Sequence, residues 1–179
     1  MNLDVVGIRL VKERTIEYEK EIKTACDAVQ LIANELKDMD REVCMTVNFN
    51  TKLQVLSAHV VSVGGLDGAI VDVRSIFKSA LLSNAKSIML FHNHPSGNCS
   101  PSREDILLSQ KLEKAGQVMD IPLLDHIIIG QDKYYSYKGD ITQYYQLDES
   151  KKLETQENEL RDFVENQPDM NRDDIELEL

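Results

Sequence analysis

Apolar positions along the chain recur with two periods, and together they predict an alternation of strands and helices. Residues 5–11 alternate well enough for a strand, read as an edge strand. Val29, Ile32, Ala33 and Leu36 then recur at i, i+3, i+4 and i+7, an amphipathic helix face suited to packing on a sheet, with Thr24 or Asp27 as its opening residue. Residues 42–49 and 53–63 read as two strands joined by the polar turn Asn50-Thr51-Lys52, most simply a hairpin, and Gly64-Gly65 ends the pattern. Asp72 is placed to cap a helix from 73 to about 82, and residues 87–91 form an apolar run of the kind buried in a covered sheet. Ser102 is placed to cap a helix reaching about 119. Pro122 leads into a buried strand over 123–129, and Gly130-Gln131-Asp132 turns the chain toward a short strand over 134–137. The pattern predicts an α/β fold, a mixed β-sheet flanked by helices.

Composition narrows the class. The 179 residues, 42% of them hydrophobic, can bury one good-sized core, which favours a single main domain. No apolar run approaches the length of a bilayer span, and Met1 is followed by Asn2, Leu3 and Asp4 rather than by a basic segment and an apolar stretch, so a cytoplasmic protein without membrane contact is expected. Cys26, Cys44 and Cys99 are odd in number and lack C-x-x-C spacing, which argues for free thiols over a disulfide framework or a thiolate zinc site.

The net charge of −11 is concentrated at one end. Residues 148–179 hold 12 acidic and 4 basic residues, a net −8, which leaves −3 for residues 1–147. A body so near neutral has no basic stripe for phosphates, and an acidic tail repels nucleic acid, so direct DNA binding is not expected. The tail itself reads as a solvated extension, helical or disordered, with loose helical spacing of Leu153, Leu160 and Phe163.

The chemistry is concentrated between Leu90 and Asp105. The strand over 87–91 delivers His92 and His94 into a loop rich in Pro, Ser and Gly. In extended chain, residues i and i+2 point the same way, so the two rings can converge on one point. With Ser102 as N-cap, Asp105 falls on the first helical turn, where its carboxylate can swing back over the loop. Two imidazoles and a carboxylate suit Zn²⁺ and leave a fourth position for water. A plainer account is also open: Ser102-Arg103-Glu104-Asp105 fits a capping box, and the His pair fits a solvated strand end. Cys99 as a fourth ligand would close the site, but C-x-x-C spacing is missing. His126, flanked by Asp125 and Ile127-Ile128-Ile129, is expected to pack or to support a ligand rather than to ligate. His59 reads as a surface residue.

The ordered set His92-Asn93-His94-Pro95-Ser96-Gly97, then Pro101-Ser102 and Asp105, resembles the JAMM (JAB/MPN) metalloprotease signature in the form found in its bacterial RadC-like branch. The likeness runs from about Thr24 to Tyr137 and includes Leu124 to Gly130 and Tyr134 to Tyr137. It implies three parts: a lead-in over 1–23, a RadC-like JAB/MPN domain over 24–147 with the α/β sandwich shared with cytidine deaminases, and the tail over 148–179. The resemblance further implies that His92, His94 and Asp105 bind Zn²⁺ and that Glu42 is the general base. Ser102 would steady the oxyanion, and the reaction would be cleavage of a peptide or isopeptide bond in a protein or peptide substrate. From the residues alone Glu42 is a strand-end surface carboxylate, and Ser102 is a cap. The deaminase elements H-x-E and P-C-x-x-C are absent, so nucleobase chemistry does not follow from the shared fold. The same branch offers a rival reading, a non-catalytic accessory protein of DNA repair or mobile elements. Its longer chains carry an N-terminal helix-hairpin-helix segment that this sequence begins too late to include. The substrate and the oligomeric state are not readable from one chain.

Overall fold

A computed structural model describes residues 3–17, 25–64 and 71–144, so the acidic tail, Thr24 and Gly65 lie outside the described residues. Six strands form one sheet: β1 (Val43–Phe49), β2 (Val55–Val63), β3 (Ser87–Asn93), β4 (Leu123–Ile129), β5 (Lys133–Ser136) and β6 (Ile141–Tyr144). Three helices accompany them: α1 (Ala25–Leu36), α2 (Val73–Leu82) and α3 (Arg103–Met119). The strand order is β2-β1-β3-β4-β5-β6, and every neighbouring pair is antiparallel except β3 and β4. A parallel pair needs a crossover, and α3 supplies it.

The hairpin expected over 42–63 is the antiparallel β1–β2 pair, with Asn50 Oδ1 accepting the backbone N–H groups of Lys52 and Gln54 in its turn. β1 and β3 are buried along their whole length, as central strands covered on both faces must be. Ile76, Phe77 and Ala80 of α2 and Leu112 of α3 pack on the face carrying Cys44, Ile88, Leu90 and Leu123. α1 covers the other face with Val29, Ile32, Ala33 and Leu36, all at most 1% exposed, as their spacing predicts. Asp72 caps α2, its carboxylate accepting from Arg74 N at 3.0 Å. None of the helices is long and apolar enough to cross a membrane among the described residues.

One expectation needs correction, and one strand had no forecast. Residues 5–11 form no strand. Val5 is 97% and Val11 82% exposed, because alternation makes a strand only where another strand supplies hydrogen bonds, and none lies beside this segment among the described residues. β6 was not foreseen: all four of its residues are exposed, so no apolar face marks it, and its pairing with β5 alone defines it.

Candidate metal centre

The ends of β1, β3 and α3 meet at one edge of this sandwich. β3 is the central strand that carries His92 at its end, 3% exposed, and His94 follows immediately beyond it. Backbone bonds position the loop that follows: His94 N–H donates to Ile129 O at 3.0 Å, Gly97 N–H to His94 O at 2.9 Å, and Gln131 N–H to Gly97 O at 3.1 Å. The loop therefore lies against the turn after β4. Gly130 permits that contact, since a Cβ there would stand 2.4 Å from Gly97 O.

At the start of α3 the capping box is fully formed. Ser102 Oγ accepts from Asp105 N at 3.1 Å, and Asp105 Oδ2 accepts from Ser102 N at 2.7 Å. The Ser102 hydroxyl proton points to the same Oδ2, 2.6 Å away. The plainer reading of this motif is thus correct as far as it goes, and the same carboxylate also faces the histidines. Asp105 Oδ1 lies 3.3 Å from His92 Nε2, Oδ2 lies 3.6 Å from His94 Nε2, and the two Nε2 atoms are 2.9 Å apart. His92, His94 and Asp105 are the one group among the described residues with metal-ligand geometry, their ligand atoms all within 4.8 Å of one another. Cys99 is not part of it; it is a buried free thiol, as is Cys44. His59 is exposed on β2, as expected.

The far side of each ring is already bonded. His94 Nδ1 lies 2.7 Å from Asn98 O, and a carbonyl only accepts, so the Nδ1–H donates and a neutral His94 has a bare Nε2. His92 Nδ1 lies 2.8 Å from His126 Nε2, and His126 Nδ1 lies 2.7 Å from Ser109 Oγ. His126 thus stands behind His92 and outside the group of three. Bare nitrogens and a carboxylate at such distances repel unless a cation lies between them, either a proton or a metal ion. The electrostatics agree. Burial pushes the His92 pKa down to about 4 against the pull of Asp105. His94 is shifted upward by its bond to Asp105. Burial alone would raise the Asp105 carboxyl, yet His94, His92 and Ser102 outweigh it and hold it well below the usual carboxylate range. A set of two imidazoles and one carboxylate without a thiolate fits Zn²⁺.

Glu42 is half-buried just ahead of β1, and its charge acts on both His94 and Cys44. Its position is controlled by Asn93, 1% exposed, which the sequence reading left unassigned. Asn93 Oδ1 accepts from Val43 N at 2.8 Å, and its Nδ2 donates to Arg41 O at 3.0 Å, so one side chain grips the backbone on both sides of Glu42. The only sequence cue to Asn93 is a polar residue between two candidate ligands. Ser109 was also missed; its cue is its place one helical turn after Asp105.

Comparison with known proteins adds a family to this geometry. The profile of the RadC-like JAB domain matches residues 22–142. A UPF0758 protein of Listeria innocua is 47% identical over 125 residues, 69% of this chain and 56% of that protein. A UPF0758 protein of Methanosarcina mazei is 41% identical over 124 residues, 69% of this chain and 54% of that protein. The chain spans about half the length of the curated relatives it matches.

Proposed function

The chain belongs to the RadC-like JAB domain family, and from that premise we propose that it is a zinc-dependent metallohydrolase of JAMM type, cleaving a peptide or isopeptide bond in a protein or peptide substrate. The observation that carries this reading is the convergence of His92 Nε2, His94 Nε2 and the Asp105 carboxylate, with the outer nitrogen of each ring already committed to a neighbour. When bound there, zinc supplies a water whose pKa falls to about 7 and a Lewis acid for the scissile carbonyl.

The remaining work falls to the protein's own groups. Glu42 takes the proton of the attacking water and returns it to the leaving nitrogen, acting as general base and then general acid. Ser102 donates to the developing oxyanion. Its proton rests on Asp105 Oδ2, so this role calls for a turn of the hydroxyl, and the Ser102 backbone N–H stays on Oδ2 to keep the carboxylate in place. Buried Asn93 fixes the backbone from which Glu42 reaches the site.

The test is the zinc content of protein purified without chelator or nickel resin, measured by elemental mass spectrometry beside Asp105→Ala. About one zinc per chain is expected, falling sharply in the variant, since a site with three protein ligands keeps only two when Asp105 is removed. Hydrolysis of peptide and isopeptide-linked substrates by the zinc-loaded protein follows. A wild-type chain that takes up no zinc on titration overturns the reading.

A further inference from the structure

His126 is a buried histidine to which the metal reading gives no chemical step. It lies within the apolar strand β4, in register with Leu90 of β3, and is 1% exposed. Two hydrogen bonds pass through it, and a third continues the series. His92 Nδ1 and His126 Nε2 are 2.8 Å apart, His126 Nδ1 and Ser109 Oγ are 2.7 Å apart, and Ser109 Oγ donates to the backbone carbonyl of Asp105 at 2.8 Å. Ser109 is also 1% exposed, so solvent does not compete for these bonds.

The direction of the series follows from the last bond. A carbonyl has no proton to give, so the single Ser109 proton goes to Asp105, and Ser109 must accept from His126 Nδ1–H. A neutral His126 then has a bare Nε2, which accepts from His92 Nδ1–H. A neutral His92 is left with a bare Nε2, the atom that faces His94 and Asp105. Reversing the series would take the Ser109 proton off the carbonyl and put a proton on His92 Nε2, blocking that atom as a ligand. The series also begins and ends on two members of the same ligand set, so it ties the ring plane of His92 to the first turn of α3.

We propose that His126 and Ser109 are positioning residues that hold His92 in its Nδ1–H tautomer with Nε2 open to a metal ion, the direction being set by the Asp105 carbonyl. The use of the tautomer rests on the metal reading above; the tautomer itself does not. Outer partners of ligating histidines typically change metal affinity by about 10- to 100-fold when removed.

Two measurements test this. Zinc affinity is read by competition with a chromophoric chelator for the wild type, His126→Leu, His126→Gln and Ser109→Ala. His126→Leu is expected to bind zinc about 10- to 100-fold more weakly, Ser109→Ala to lose less, and His126→Gln to recover most of the loss. The Gln amide can accept from His92 and donate to Ser109, which a merely space-filling role would not require. Long-range proton–nitrogen spectra of the metal-free wild type are expected to show His92 and His126 both protonated on Nδ1. Wild-type affinity in both His126→Leu and Ser109→Ala, or His126→Leu and His126→Gln equally weakened, would overturn the proposal, as would rings protonated on Nε2. A wild type that binds no zinc sinks the metal reading instead, and the spectra then decide the tautomer alone.

Discussion

Asn93 brackets Glu42 from the neighbouring strand, accepting from the amide on one side of it and donating to the carbonyl on the other. The backbone that carries Glu42 is thereby anchored to the end of β3, between His92 and His94. Asn93→Ala leaves a buried N–H without its acceptor, a loss of about 1–3 kcal/mol. The expected outcome is zinc affinity within a few-fold of wild type but at least about tenfold slower hydrolysis, because a catalytic group misplaced by about 1 Å loses large factors in rate. Unfolding curves, zinc titration and steady-state rates on one preparation check all three.

Glu42→Gln keeps the shape of the side chain and removes its basicity. Zinc content should stay at the wild-type level while turnover falls by about 10²- to 10⁴-fold, the usual contribution of a positioned general base. Loss of zinc in this variant would make Glu42 a ligand and refute the role assigned to it.

Buried histidines make the metal-free protein sensitive to acid. His92 has its pKa pushed from 6.5 to about 4 by burial, and His126 is also lowered by burial. A lowered folded pKa means that the unfolded chain binds the proton more readily, so the stability these rings contribute is complete above about 6.5 and is lost as pH falls toward 4. For His92 alone the loss is roughly 3 kcal/mol. His94 works in the opposite sense: its raised pKa adds stability at low pH, lost as pH rises through the folded value. Two groups against one predict a lower melting temperature at pH 4.5 than at pH 7, read by thermal melts in chelator. A flat or rising profile would contradict this balance.

Gly130→Ala places a methyl carbon 2.4 Å from Gly97 O and 3.1 Å from Cys99 N, both backbone atoms that cannot swing aside. The ligand loop must shift, and with it Asn98, whose carbonyl holds His94. A destabilisation of about 1–3 kcal/mol is expected, together with weaker zinc binding, measured by denaturant unfolding and metal competition.

Much of this arrangement was legible in the sequence because it rests on local rules. The spacing of Val29, Ile32, Ala33 and Leu36, the caps Asp72 and Ser102, and the apolar run before His92 each specify an element through neighbours a few residues away. The His-x-His pair and the N3 position of Asp105 share a point for the same reason. What stayed hidden depends on contacts distant in the chain. Nothing near Asn93 shows that it bonds a backbone 50 residues earlier, and nothing near His126 shows that a serine on α3 and a histidine on β3 stand on either side of it. Residues 5–11 mislead for the converse reason, since they have the local pattern of a strand without a distant partner.

The parallel crossover β3–α3–β4 has a kinetic consequence. His92, His94 and Asp105 lie within one short segment, whereas Glu42 must be brought to them by pairing β1 with β3. Loop-closure entropy rises by about 0.6 kcal/mol for each doubling of the spacer, so joining Glu42 to the ligands is harder by about 1 kcal/mol than joining the ligands to each other. During folding His92, His94 and Asp105 can therefore come together before Glu42 joins them, so the strand pairing of β1 with β3 is the later and costlier step in assembling the site.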